Sequence, residues 1–137
     1  MLFRSERQIS ELGIGDSVEI IPATKNIEAQ YRQASVMAMS SRYEGFSLVL
    51  VEAMAAGLPI ASFDCDMGPA EIIEDGKTGI LVPPADTDKL AEALDKLMSD
   101  EAMRKAFAQE SLVSVKRFAV DNIVARWEKL LAEVNAR

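Results

Sequence analysis

Between Val36 and Val82, three short apolar runs alternate with segments suited to helices, and that alternation leaves few folds open. Val36–Met39, Pro59–Phe63 and Gly79–Val82 read as strands. The first does not alternate apolar with polar residues, so burial on both faces is expected. Leu48–Ala56 is a run of strong helix formers, ended by Gly57 with Pro59 just beyond. From Asp86 the spacing turns helical: Leu90, Leu94, Leu97 and Met98 share a face, and Glu92–Lys96 supports the other at i,i+4. Asp100 is expected to cap a further helix, and a last one aligns Ile123, Trp127, Leu130, Leu131 and Val134. Upstream, Ser5-Glu6-Arg7-Gln8 fits a capping box opening a helix over about 5–12, stopped by Gly13 and Gly15. Val18–Ile21, closed by Pro22, is expected to be another strand, and Asn26 to cap a helix to about 33. Strands alternating with helices imply an α/β fold, a Rossmann-like open parallel sheet with flanking helices. The default reading of every apolar stripe is core packing.

The length, 137 residues, suits one domain. A net charge of −7 argues against a general nucleic-acid or anionic-membrane binder, which needs a basic footprint. Histidine is absent and Cys65 is the one cysteine, which removes His-based triads, Cys/His zinc sites and an intrachain disulfide. Two acids flanking Cys65 make it a poor nucleophile. No 18-residue apolar run suggests a transmembrane span, and MLFRSERQISEL is too polar for a signal peptide. A soluble domain from a reducing compartment is the expectation.

Charge is unevenly placed. Residues 47–85 hold six acids and one base, Lys77, so a ligand site there has almost no cationic side chains. An anion can still bind through backbone N–H groups at a helix N-terminus. Tyr43-Glu44-Gly45-Phe46-Ser47 leads from the Val36–Met39 strand into the 48–56 helix. The carboxyl end of a strand feeding a helix is where open α/β sheets bind ligands. Gly45 allows close backbone approach, and the Ser47 hydroxyl is expected to cap the helix. Glu44 and Glu52 can accept hydrogen bonds from neutral hydroxyl donors such as sugars. Taken alone, that pair is better read as solvated acids. Asp64, Asp66, Glu71, Glu74 and Asp75 suggest a cation site less well than turn chemistry around Gly68-Pro69 and Asp75-Gly76. Arg42 and Lys77 are the bases expected near these loops.

The stretch SSRYEGFSLVLVEAMAAGLPIASFDCDMGPAEIIEDGKTGILVPPADTDKLAEAL closely resembles the C-terminal domain of retaining GT-B glycosyltransferases, the glycosyl transferases group 1 family. The matching elements are S-x-x-E-G-F, Glu44 and Glu52 in E-x7-E spacing, E-A-M-A-x-G-x-P, G-P-x-E-I-I and D-G-x-x-G-I-L-V. The resemblance reaches SERQISELGIGDSVEIIP upstream and the Trp127 helix downstream, nearly the whole chain. It implies sugar transfer from a nucleotide-activated donor with retention of configuration, no metal and no other cofactor. By position, Glu44 would contact donor-sugar hydroxyls and Glu52 the ribose. Gly45, Phe46, Ser47 and Leu48 would complete the donor site, their backbone facing the sugar and diphosphate. Ser47 departs from the commoner Gly. Gly68–Glu71 most resembles transferases of bacterial surface polysaccharides, and Glu71 would be a donor-side or structural contact.

The resemblance also implies what to expect around the chain. The family's Arg/Lys pair, which neutralises the leaving diphosphate, would lie upstream of the first residue, and the N-terminal Rossmann domain with the acceptor site would be a missing partner. The chain alone is therefore expected to be one partial domain, without catalytic residues or transferase activity, from a cytoplasmic enzyme peripheral to the inner membrane face. In a 3-2-1-4-5-6 strand order, the first two strands would fall between Val18–Ile21 and Val36–Met39, leaving open edges and a possible homodimer. The family's last helix packs onto the N-terminal domain, so its apolar face is expected to be exposed or used in assembly. Two other readings are a non-catalytic interaction module and a GT-B sugar-nucleotide epimerase, the latter disfavoured by the absence of histidine.

Overall fold

The computed structural model describes residues 2–136, with side-chain surroundings from residue 4; Met1 and Arg137 lie outside them. Three strands form one parallel sheet in the order β1-β2-β3, with β1 at Met37–Met39, β2 at Ile60–Phe63 and β3 at Gly79–Val82. Met37 pairs with Ile60, and Ile60 with Gly79. Around the sheet run α1 (Leu2–Leu12), α2 (Ile27–Gln33), α3 (Leu48–Ala55), α4 (Pro69–Ile72), α5 (Thr87–Ser99), α6 (Glu101–Ser114), a 3-10 helix (Val115–Phe118) and α7 (Val120–Asn135). The Rossmann-like α/β expectation holds.

The alternation of β2 divides the core. Ile60 joins Met39, Leu50, Ala53, Met54, Leu58, Ile72 and Ile73 on one side. Ala61 and Phe63 join Val82, Leu90, Ala93, Leu97 and Phe107 on the other. Every residue of β2 is buried, as a central strand with both faces covered requires. β3 comes so close to β2 that a Cβ on Gly79 would stand 2.5 Å from the Ile60 carbonyl oxygen and 3.0 Å from Ile73 Cγ2. Helix ends follow local chemistry. Gly57, at φ +72, closes α3 while Leu58 N–H donates to the Ala53 carbonyl (2.9 Å). Asp86 and Asp100 accept from Lys89 N–H (3.0 Å) and Met103 N–H (2.8 Å) at the starts of α5 and α6, and Asn26 caps α2.

Five expectations need correction. Val18–Ile21 forms no strand: Val18 and Ile21 are exposed, and no described strand offers them a ladder, without which a four-residue β-branched run has nothing to hold it extended. Ser5 caps nothing, because α1 starts at Leu2 and runs through it, helped by an Arg7–Glu11 pair (2.6 Å). β1 is not buried on both faces; Ala38 is exposed, since β1 is the sheet's edge. Met98 points to solvent while Leu90 and Leu97 are buried, and Glu92–Lys96 is not among the ion pairs of the described residues. The α7 stripe exists but packs against little: Ile123 is half-buried, whereas Trp127, Leu130, Leu131 and Val134 are exposed, as the resemblance implied and the core reading did not.

Candidate functional site

The β1–α3 connection carries the predicted residues to the carboxyl end of the sheet. Leu48–Ala55 is helical because Leu50, Ala53 and Met54 bury one face against β2 and α4, and the N-terminus is thereby aimed at the loop before it. Ser47 occupies the N-cap but makes no side-chain cap; the residue is 2% exposed and its hydroxyl donates to Met39 Sδ (3.4 Å). The buried sulfur offers a partner that keeps Oγ away from the first-turn amides. The helix therefore starts without a side-chain cap, and the positive end of its dipole is left for a ligand to meet.

Gly45 faces open space, with no heavy atom within 4 Å of where a Cβ would sit, so no packing demand explains a glycine there. Its carbonyl instead receives Gly68: a Cβ on Gly68 would lie 2.6 Å from Gly45 oxygen. Gly68 has φ +131 and follows Met67 at φ +61, an exposed side chain in a backbone region that favours glycine. Gly68 and Pro69 then open α4, where turn chemistry alone was expected: Pro69 at the first position suits a helix start.

Glu44 is half-buried beside this contact. Glu52 lies in the second turn of α3, where its Oε2 accepts from the Tyr31 hydroxyl (3.1 Å). Glu52 and Tyr31 line an open cleft of about 440 Å³ with Ile27, Glu28, Arg32 and Ala55. Glu44 does not line that cleft, so the two carboxylates do not share it. Burial, and then the hydrogen bond to Glu52, raise the Tyr31 phenol above its ordinary value of 10.0, so it stays a neutral donor. Tyr31 was not foreseen, and neither were Arg117 and Phe118. Phe46 meets Phe118 edge-on, ring centres 5.6 Å apart at 70°. Arg117 stacks on Phe118 (4.8 Å) and donates to the Ile72 (2.6 Å) and Glu71 (3.1 Å) carbonyls at the end of α4. Adjacent Arg and Phe after α6 were the only signal in the sequence.

Arg117 also adds a third base to the two expected near these loops, yet it is engaged: its Nη1 and Lys77 Nζ both reach Glu74, at 3.3 and 3.5 Å. Ser114 Oγ donates to the same carboxylate (2.8 Å). Asp75 is used in its turn, accepting from Leu81 N–H (2.9 Å). The Ser114 hydrogen bond chiefly lowers the Glu74 carboxyl below its ordinary 4.5; desolvation opposes this, and Lys77 and Arg117 add to it. A depressed carboxylate stabilises the fold above its unfolded pKa, and that contribution is lost as pH falls through the lower folded value. Acidification below 4.5 is therefore expected to loosen α6 from the loop that follows α4, and Glu74→Gln to flatten that part of the melting-temperature profile against pH. An unchanged profile in the variant counts against this attachment.

The family model described as glycosyl transferases group 1 matches residues 1–112. The chain is 42% identical over 135 residues to an exopolysaccharide phosphotransferase of Streptomyces coelicolor, covering 98% of this chain and 14% of that protein. It is 36% identical over 124 residues to the amylovoran biosynthesis glycosyltransferase AmsD of Erwinia amylovora, covering 90% of this chain and 35% of the relative. The crystal structure of Anabaena HepE in complex with UDP superposes with a TM-score of 0.89 at 25% identity, over 96% of this chain and 36% of that one. The chain thus spans well under two thirds of each relative's length. Motif register, parallel sheet and matched residues agree: the chain belongs to the glycosyl transferases group 1 family and is a C-terminal domain of the GT-B kind.

Proposed function

We propose that this domain binds the nucleotide-sugar donor of a retaining, metal-independent glycosyltransferase in bacterial surface polysaccharide synthesis. The observation that carries the reading is the α3 N-terminus, which no Ser47 side chain caps and which follows the open Gly45 backbone, with Glu44 in the loop before it and Glu52 in its second turn. A diphosphate would accept from the Phe46–Leu48 amides, worth about 0.3–1 kcal/mol per charge from the helix dipole alone. The carboxylates would accept from hydroxyls, Glu44 from the sugar and Glu52 from the ribose. The UDP complex of HepE and the polysaccharide relatives in bacteria support the donor class and the setting. A nucleotide-activated donor is a cytoplasmic metabolite, so the reading includes a cytoplasmic location.

Calorimetric titration of UDP, GDP and ADP, with and without EDTA, tests the reading. At least one is expected to bind with no change on chelation, and Glu52→Ala to weaken it about tenfold or more, the worth of hydrogen bonds to a charged group. No binding by any of them would favour the non-catalytic module instead.

Turnover is a separate matter. Stabilising charge where it develops is usually the largest catalytic contribution, and Lys77 and Arg117 are both committed to Glu74. The chain alone is expected to show no transfer from any nucleotide sugar until an N-terminal GT-B domain and further cations are supplied. Multiple turnover by the isolated chain would overturn this. Pairing through the exposed β1 edge is the proposed route to a homodimer; a monomer by sedimentation at micromolar protein would exclude it.

A further inference from the structure

We infer that Phe118, backed by Arg117, positions the Gly45–Ser47 backbone, an inference that rests on the donor-site reading for its purpose but not for its test. The contacts form a closed ring. Phe46 meets the Phe118 ring edge-on. Arg117 lies over that same ring and holds the Glu71 and Ile72 carbonyls. Those carbonyls belong to α4, which opens at Gly68, and Gly68 stands against the Gly45 carbonyl. The turn before α3 is thus held at two adjacent residues by elements that Arg117–Phe118 ties together, more than 70 positions later in the chain.

The ring is needed because the turn has little else. Ser47 spends its hydroxyl on Met39, Gly45 has open space above it, and Phe46 is half exposed. A flexible turn would lose ordering entropy each time its amides gathered round a diphosphate. An aromatic pair of this geometry restrains Phe46 without occupying the space over the helix N-terminus. Arg117 supports Phe118 from the other side, and its links to Glu74 and the α4 carbonyls fix the guanidinium in place.

Hydrogen exchange read by mass spectrometry over residues 44–50 tests the inference without a ligand. Phe118→Leu keeps an apolar side chain but removes the ring, and Phe118→Tyr keeps the ring. Exchange in 44–50 is expected to accelerate about three- to tenfold in Phe118→Leu, the worth of one aromatic pair, with Phe118→Tyr like the parent and β2 protection unchanged. Phe46→Leu, cut from the exposed side, is expected to reproduce the effect. UDP affinity, where the parent binds UDP, is expected to fall with the same order of variants. Unchanged exchange in Phe118→Leu, or acceleration spread evenly through the chain, overturns the inference. A parent that binds no nucleoside diphosphate but shows the local acceleration upholds the restraint and refutes the donor reading alone.

Discussion

Gly68→Ala is expected to destabilise the chain by about 2–6 kcal/mol, summing a backbone penalty of about 1–3 kcal/mol with an overpacking penalty of similar size. Two independent faults meet at this residue. Its φ of +131 lies in a region that L side chains rarely adopt, so alanine is strained even in empty space. The space is not empty: the new Cβ would sit 2.6 Å from Gly45 oxygen and 3.5 Å from Glu44 Cβ. The near atom is backbone, so relief requires the site loop or the start of α4 to move. Against a typical total stability of about 5–15 kcal/mol, the melting temperature should fall by about 10 °C or more. Gly45→Ala is the control. It meets nothing within 4 Å and carries no positive φ, so its melting temperature should stay near the parent's. Equal losses in both variants would mean that the 44–68 contact is not what Gly68 serves.

That contrast marks what a sequence can and cannot disclose. Both glycines sit in recognisable motifs, and nothing in one dimension says that the carbonyl of one receives the other. Local chemistry was legible at most helix ends, though not at Ser5, which α1 runs through. Asn26, Asp86 and Asp100 cap within three residues of themselves, and Gly57 ends α3 through bonds to the turn just before it. The lack of alternation pointed to Val36–Met39 as the strand buried on both faces, yet Ala38 there is exposed and the central β2 is the strand buried throughout. Whatever depended on a distant partner was not legible. Val18–Ile21 has strand composition, yet a strand is a property of two segments. Ser47 has the right identity for a cap, and a methionine eight residues earlier takes its hydroxyl. At the site, the motif register selected Glu44–Leu48 and Glu52 as candidate donor contacts, and the fold puts that loop at the carboxyl end of β1. Tyr31 reaches Glu52 across 21 residues and Arg117 reaches Glu74 across 43, separations for which residue spacing carries no signal.

Gly79→Ala isolates the packing fault without the backbone one. Gly79 begins β3 with no positive φ, so alanine meets no conformational objection there. Its Cβ would stand 2.5 Å from the Ile60 carbonyl oxygen, part of the central strand, and 3.0 Å from Ile73 Cγ2, a side chain buried in the first core cluster. Neither neighbour can swing away: one is ladder backbone, and the other is β-branched and enclosed. Separating β3 from β2 would break the Ile60–Gly79 register on which Phe63 and Val82 depend for burial over α5. Overpacking of this kind costs about 1–3 kcal/mol when the structure can shift slightly and more when it cannot. The expected result is a lower urea midpoint at an unchanged slope, because the surface exposed on unfolding stays the same. A smaller slope would point to a different outcome, a native state in which β3 has already left the sheet. Because the Gly79 contact lies away from the Gly45–Ser47 loop, nucleoside diphosphate affinity should survive Gly79→Ala and fall in Gly68→Ala, which separates loss of the fold from loss of the site.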